Sequence, residues 1–252
     1  MRYFTLTFFS TIIFLAGFAQ DLTKDQQKAV TTFIEQVENQ KKTALSRQIR
    51  FPFIRQYPIP PLKNSREFME RYVELFDDSL TRIIANSSYS KDWSAVGSRG
   101  IMLHNGLVWL DENGTLIAVN YQSKYEKHKI EELILLDKKN LHISLRNFEK
   151  PVHILETAKY RVRIDDMGNG QYRYASWPLK SRMTDKPDVI ITKGKYKPEG
   201  SGGNHRYEFR NLNFIYDCAI IVTGEKNSPP ALLKIYKGKK VILTQQAIIV
   251  TK

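Results

Sequence analysis

Tyr160–Trp177 reads YRVRIDDMGNGQYRYASW, and the fold of the C-terminal half turns on it. Tyr160–Asp165 alternates apolar and polar positions, Gln171–Trp177 does the same, and Gly168-Asn169-Gly170 stands between them. Period-two alternation on both sides of a Gly/Asn cluster is the pattern of a β-hairpin. Further strands are expected downstream at Val189–Thr192, Arg206–Arg210, Phe214–Val222, Leu232–Tyr236, Val241–Thr244 and Ala247–Val250. Clusters at Gly200–Gly203 and Ser228–Pro230 separate some of them, and no helix is expected beyond Pro151. So many short strands in about a hundred residues predict an all-β sandwich or barrel.

Toward the N-terminus the rhythm becomes helical. Thr23-Lys24-Asp25-Gln26 has capping-box spacing, and Ala29, Val30, Phe33, Ile34 and Val37 follow on one helical stripe. A second helix is expected from Asn64 or Ser65, with Phe68, Tyr72, Leu75, Phe76, Leu80, Ile83 and Ile84 at intervals of three or four. The prolines of Phe51–Pro61 keep the chain between these helices extended. Ile101, Leu103, Leu107 and Trp109 form short runs broken by Asn105-Gly106, a hairpin turn signal, and Asp111–Gly114 punctuates again before Thr115–Tyr121. Lys127–Asn140 fits either a short helix or a strand around Leu133–Leu136. Helices followed by a meander predict an α+β module with helices packed on an antiparallel sheet. The expected division is a leader at 1–19, the α+β module at 20–150 and the β module at 151–252.

The chain has 252 residues, 42% of them hydrophobic, which is ample for a buried core and excludes a disordered or low-complexity protein. Met1–Gln20 places Arg2 before an apolar run, with Gly17 and Ala19 as small residues ahead of a cut after Ala19. That is the layout of a secretory signal peptide, and no later segment is apolar enough to span a membrane. The single cysteine, Cys218, excludes an internal disulfide framework, so a bacterial periplasm or exterior is the expected location. Thirty-nine Lys+Arg against 26 Asp+Glu give a net charge of +13. Residues 1–150 hold 21 against 17, and residues 151–252 hold 18 against 9, so most of the excess lies in the β half. Such a bias attracts polyanions. Export and the lack of a nucleic-acid motif argue against nucleic acid, which leaves an anionic envelope polymer, a lipid phosphate or an acidic protein as the expected partner.

The candidate anion-binding residues are Arg161, Arg163, Arg173, Lys195, Lys197 and Arg206. Arg161 and Arg163 share a strand face, and pairing Asp165 with Gln171 would set Arg163 opposite Arg173. Two like charges in that position need a neutralising partner: an acidic side chain in the plainer reading, a bound anion in the functional one. A one-residue slip would separate them instead. If Tyr172 and Tyr174 line one face, Arg173 is displayed on the other. The loop Gly200-Ser201-Gly202-Gly203-Asn204-His205 has glycines that free backbone N–H groups toward an anion, although no GK[ST] or helix follows and the plainer reading is a hairpin loop with positive φ. His104, His128, His142, His153 and His205 form no ligand array, so no metal and no cofactor are expected. Cys218 alternates with Phe214, Tyr216 and Ile220, as an inert core thiol would. No GxSxG elbow is present, and no catalytic residue is assigned.

The segments IRFPF, REFMERYVELFDDSLTRII and RGIMLHNGLVWLDENGTLIAVNY, within Ile49–Tyr121, resemble the cystatin/NTF2-like modules of uncharacterised exported bacterial proteins. RYASW, PDVIITKG, GSGGNHRYEF and NSPP, within Tyr172–Pro230, resemble a second module of such proteins. The resemblance implies architecture and export and carries no reaction. NTF2-like folds often form a cone-shaped pocket, and some act as isomerases or dehydratases through Asp, His or Tyr. His104, Trp109, Asp111 and Tyr121 are therefore the residues to inspect, under the alternative that the first module is an enzyme. A third alternative is an inhibitor of an envelope-attacking hydrolase, since Ser201-Gly202 is similar to the Ser-Gly loop of exported β-barrel lysozyme inhibitors. A basic chain suits a basic lysozyme badly.

Overall fold

The computed structural model describes residues 21–200 and 202–250, so the expected leader at 1–19 lies outside the described residues, as does Ser201. The described residues form an α+β protein with six α-helices, a four-stranded antiparallel sheet and a closed eight-stranded barrel. No helix among the described residues is long and apolar enough to cross a membrane.

The chain forms two compact units, one from the described part of 1–53 with 63–121, the other from 54–62 with 122–252. The first opens with α1 (Lys24–Glu38), where Thr23 accepts the Gln26 N–H and Gln26 returns a bond to the Thr23 N–H, the reciprocal capping box. Val30, Phe33 and Val37 are its buried face. After α2 (Lys42–Arg47), the stretch expected as one long helix is three short ones: α3 (Ser65–Glu70), α4 (Tyr72–Leu75) and α5 (Asp78–Ala85). The break has a local cause. Asp77 is extended and its carboxylate accepts the N–H groups of Ser79 and Leu80, starting a new helix. Strands β1 (Trp93–Ala95), β2 (Ile101–Leu103), β3 (Val108–Leu110) and β4 (Leu116–Val119) form an antiparallel meander, and Asn105-Gly106 falls in the turn between β2 and β3.

In the second unit, Lys127–Asn140 resolves as part of helix α6 (Lys124–Lys139), capped by Ser123. The expected boundary at 150/151 moves to 121/122, because Glu126 of α6 ion-pairs with Arg55, Asp137 with Arg163 of the barrel, and Leu141, Leu145 and Phe148 pack on Ala175 and Trp177. The barrel strands are β5 (Lys150–Thr157), β6 (Tyr160–Asp166), β7 (Tyr172–Pro178), β8 (Val189–Glu199), β9 (Asn204–Asn211), β10 (Phe214–Ile220), β11 (Ala231–Lys237) and β12 (Lys240–Ile249). Each pairs antiparallel with its sequence neighbour and β12 closes on β5. β5 was not anticipated, and the two strands expected at Val241–Thr244 and Ala247–Val250 are one.

Leu155, Ile164, Tyr174, Phe209, Cys218 and Leu233 are among the side chains that fill the barrel. Eight strands give an interior that side chains can fill. One end carries a ring cluster: His153 lies 6.0 Å from His205 and 5.7 Å from Tyr207, with Tyr196 and Tyr172 packed beside them. Burial, reinforced by the His205 charge, pushes His153 down to about 4.

The unfolded chain therefore takes up the His153 proton first as pH falls below about 6.5. The stability given by the neutral imidazole is complete above that pH and is lost on the way down to about 4. Urea denaturation of wild type and His153→Phe at several pH values should show wild type losing about 3 kcal/mol relative to the variant over that interval. Parallel pH profiles would refute the assignment.

Candidate functional site

Pairing in the β6–β7 hairpin runs from Asp166↔Tyr172, so Asp165 faces Arg173 and Arg163 faces Ala175. The expected register, with Arg163 opposite Arg173, is off by two residues. Even slippage preserves the face, so the arginines stay on one side while a carboxylate comes between them. The Arg163 Nε donates to Asp165 Oδ1 at 2.7 Å and its Nη2 to Asp137 Oδ2 at 2.5 Å. The Arg173 Nη2 donates to Asp165 Oδ2 at 2.6 Å and to the Leu145 carbonyl, and its Nη1 to the Asn147 carbonyl. The Phe148 ring lies 4.9 Å from the Arg163 guanidinium and 5.9 Å from that of Arg173. Arg173 is thus covered, not displayed, and Arg163 and Asp165 are wholly buried. Two guanidiniums and two carboxylates neutralise one another, which is a clamp and leaves no vacant anion site. Tyr57 lies in the same field, and burial together with the Asp137 charge pushes its phenol up to about 12, so it stays protonated.

Arg161 pairs with Glu156 at 2.8 Å and donates to the Ser181 carbonyl. Arg206 is held by Glu199 and by Asp217, the latter at 2.7 Å. Lys197 pairs with Glu208 at 2.7 Å. Of the six expected basic residues, Lys195 alone forms no ion pair among the described residues.

The described part of the 200–205 loop spans the β8–β9 turn and the first two residues of β9, with Gly200 and Gly203 at positive φ. It is stapled down: the Asn204 Oδ1 accepts the N–H groups of Val222 and Thr223 at 2.8 Å, and its amide donates to the Thr223 carbonyl. The His205 Nδ1 lies 2.9 Å from the Gly203 carbonyl. Cys218 is fully buried in the barrel, which pushes its thiol up and keeps it unreactive. Among the described residues no group of three or more His, Cys, Asp or Glu is placed to hold a metal.

In the first unit the four inspected residues are not gathered into one pocket. His104 sits in the β2–β3 turn and lines a cavity of about 480 Å³ with Ser79, Arg82 and Asp92, which Trp109, Asp111 and Tyr121 do not line. Trp109 lies against Gly106, Asp111 pairs with Arg50 at 2.9 Å while accepting N–H groups of its own turn, and the Tyr121 hydroxyl donates to Asp77. The buried side chains of that unit that carry a polar group include Gln36, Ser46 and Tyr72; burial pushes the Tyr72 phenol up to about 12, and none of the four inspected residues lies among them.

What the structure does assemble is a groove in the barrel's outer wall. β8 pairs with β7 up to Gly194 and with β9 from Lys195 onward. At the change-over the β8 backbone bulges, with Lys193 at φ +61°, and the Phe209 ring lies so close that a Cβ on Gly194 would be 2.2 Å from it. The strands part there, opening a cavity of about 570 Å³. Ile190 and Thr192 line one end, and Lys193, Lys195, Lys197 and Arg210 surround a single carboxylate, Glu208. Glu208 bonds Lys197 at 2.7 Å and Arg210 at 2.8 Å. Partial burial would raise its carboxyl, but these two hydrogen-bonded cations outweigh that and hold it low. Lys193 and Lys195 have no carboxylate partner among the described residues. Lys193 and Arg210 were not anticipated, because the β8 strand was expected to end at Thr192. Lys193-Gly194, a glycine inside a strand pattern, was the available sign of a bulge.

The fold and groove define a two-unit α+β protein with a filled up-and-down barrel and a basic external cleft. No family model matches the chain, nor does any curated protein or solved structure.

Arg173→Ala should cost about 3–5 kcal/mol, because it strips a buried carboxylate of one partner. Lys195→Ala, on the surface, should stay within about 0.5 kcal/mol. Gly194→Ala should cost about 1–3 kcal/mol by forcing Phe209 aside. Chemical denaturation of the three variants decides; equal costs for Arg173 and Lys195 would contradict the division into clamp and cleft.

Proposed function

We propose that this chain is an exported, non-enzymatic binding protein. Its barrel docks an anionic component of the bacterial envelope, whether polymer, lipid phosphate or acidic protein, through the groove of Lys193, Lys195, Lys197 and Arg210. The observation that carries the reading is local: four cations line one cleft against one carboxylate, and two of them lack any counter-charge. Such a cleft focuses positive potential on its own opening. Export rests on the signal-like layout of Met1–Gln20, and delivery to the periplasm or exterior places the cleft among anionic envelope material. The first unit, read as a cystatin/NTF2-like scaffold, serves as a second module; helix α1 and the four-stranded antiparallel sheet are compatible with that resemblance. The enzyme and inhibitor alternatives have less support, since the four inspected residues of the first unit share no cavity and the described part of the 200–205 loop is tied to Thr223.

The test uses inorganic polyphosphate, polyglutamate and phosphatidylglycerol vesicles as separate probes, titrated at rising salt. At least one should bind, with affinity falling as salt increases. Lys193→Glu with Lys195→Glu should weaken that binding at least tenfold while the thermal midpoint stays within a few degrees. Binding that ignores salt, or that survives the double reversal, would refute the proposal.

A further inference from the structure

Resting on that reading, the geometry points to Glu208 as a built-in competitor that occupies half of the cleft and sets how strongly it takes an outside anion. Glu208 lies in the middle of the outer face of β9. Lys195 of β8 is its cross-strand neighbour on one side and Asp217 of β10 on the other. Its Oε2 accepts the Lys197 ammonium at 2.7 Å, and its Oε1 accepts the Arg210 Nε and Nη2 at 2.9 and 2.8 Å. One carboxylate thereby satisfies two cations from two strands, the contact that an incoming phosphate or carboxylate group would make. The charged groups facing it are Lys195 and Lys197 from β8, Arg210 and Arg206 from its own strand, and Asp217 from β10, which Arg206 itself neutralises at 2.7 Å.

An external anion consequently meets two classes of cation. Lys193 and Lys195 are free to receive it. Lys197 and Arg210 already share the charge of Glu208, so their full attraction is released only when Glu208 is displaced or loses its charge. Ion pairs with one exposed partner contribute little to stability, about 0–1 kcal/mol, and the Arg210 side chain is 67% exposed. A purely structural account of Glu208 therefore explains little of the arrangement. Competition for the cleft explains why its one carboxylate engages both of the paired cations.

Glu208→Gln keeps the side-chain shape and removes the charge. With inorganic polyphosphate as the probe, it should tighten binding at least tenfold. It should also steepen the dependence of log affinity on log salt by about 1.4, two added contacts at roughly 0.7 each for a flexible polyanion. A structural role alone would not move that slope. Glu208→Asp, whose shorter arm cannot hold both cations, serves if the glutamine variant fails to fold, and it should also bind more tightly than wild type. Unchanged affinity and slope in the folded variant, with the Lys193/Lys195 reversal still abolishing binding, would overturn the role of Glu208 and leave the cleft standing. Loss of effect in both would overturn the cleft itself.

Discussion

Charge taken out of water must be answered, and that requirement organises the second unit. Arg163 and Asp165 are wholly buried, and Arg173 and Asp137 nearly so. Removing each ion from water costs several kcal/mol, which only close, well-formed pairing offsets. Asp165 meets this by lying between the two arginines, which ties the β6–β7 register to electrostatics. Asp137 then brings α6 onto the barrel, and the carbonyls of Leu145 and Asn147, bonded to Arg173, hold the segment between them. At the other end of α6, the buried Glu126–Arg55 pair anchors the 54–62 segment. The helix is accordingly inverted with respect to the usual amphipathic pattern: Glu126 and Asp137 are buried while Leu135 and Leu136 are more than half exposed.

That inversion explains what the sequence does and does not reveal. Elements built on local rules were readable: the Thr23 capping box, the Asn105-Gly106 and Gly168-Asn169-Gly170 turns, and most barrel strands, whose alternation reports directly on a filled interior. The α6 tract could not be told from a strand because its apolar residues do not mark its buried face. The β6–β7 register was missed because the turn cluster leaves the loop length open by a pair of residues, and the observed choice is the one that sets Asp165 opposite Arg173. β5 begins at Lys150-Pro151, a poor strand start, and β12 looked like two strands because polar Gln245 and Gln246 interrupt its apolar run. The three-way fracture after Asn64 was present in the sequence as Asp77, an N-cap residue within an otherwise continuous helical stripe.

Net charge by itself located the basic half without locating a site. Several of the eighteen cations in residues 151–252 are taken up in specific pairs: Arg161 with Glu156, Arg173 with Asp165, Arg206 with Glu199 and Asp217. The informative quantity is charge left over after pairing, and pairing depends on strand register, which composition does not contain. A barrel whose interior is occupied by its own side chains has its wall and rims left for recognition, and the unpaired lysines lie on that wall.

The backbone under those lysines bears on the same point. Gly194 is accounted for by packing, since the Phe209 ring occupies the space of its missing Cβ. Lys193 is not. A lysine at φ +61° costs about 1 kcal/mol more than a glycine, and asparagine would also suit the position better. The bulge parts β8 from β9 and sets an ammonium at the edge of the opening, so the local strain and the unpaired charge coincide in one residue.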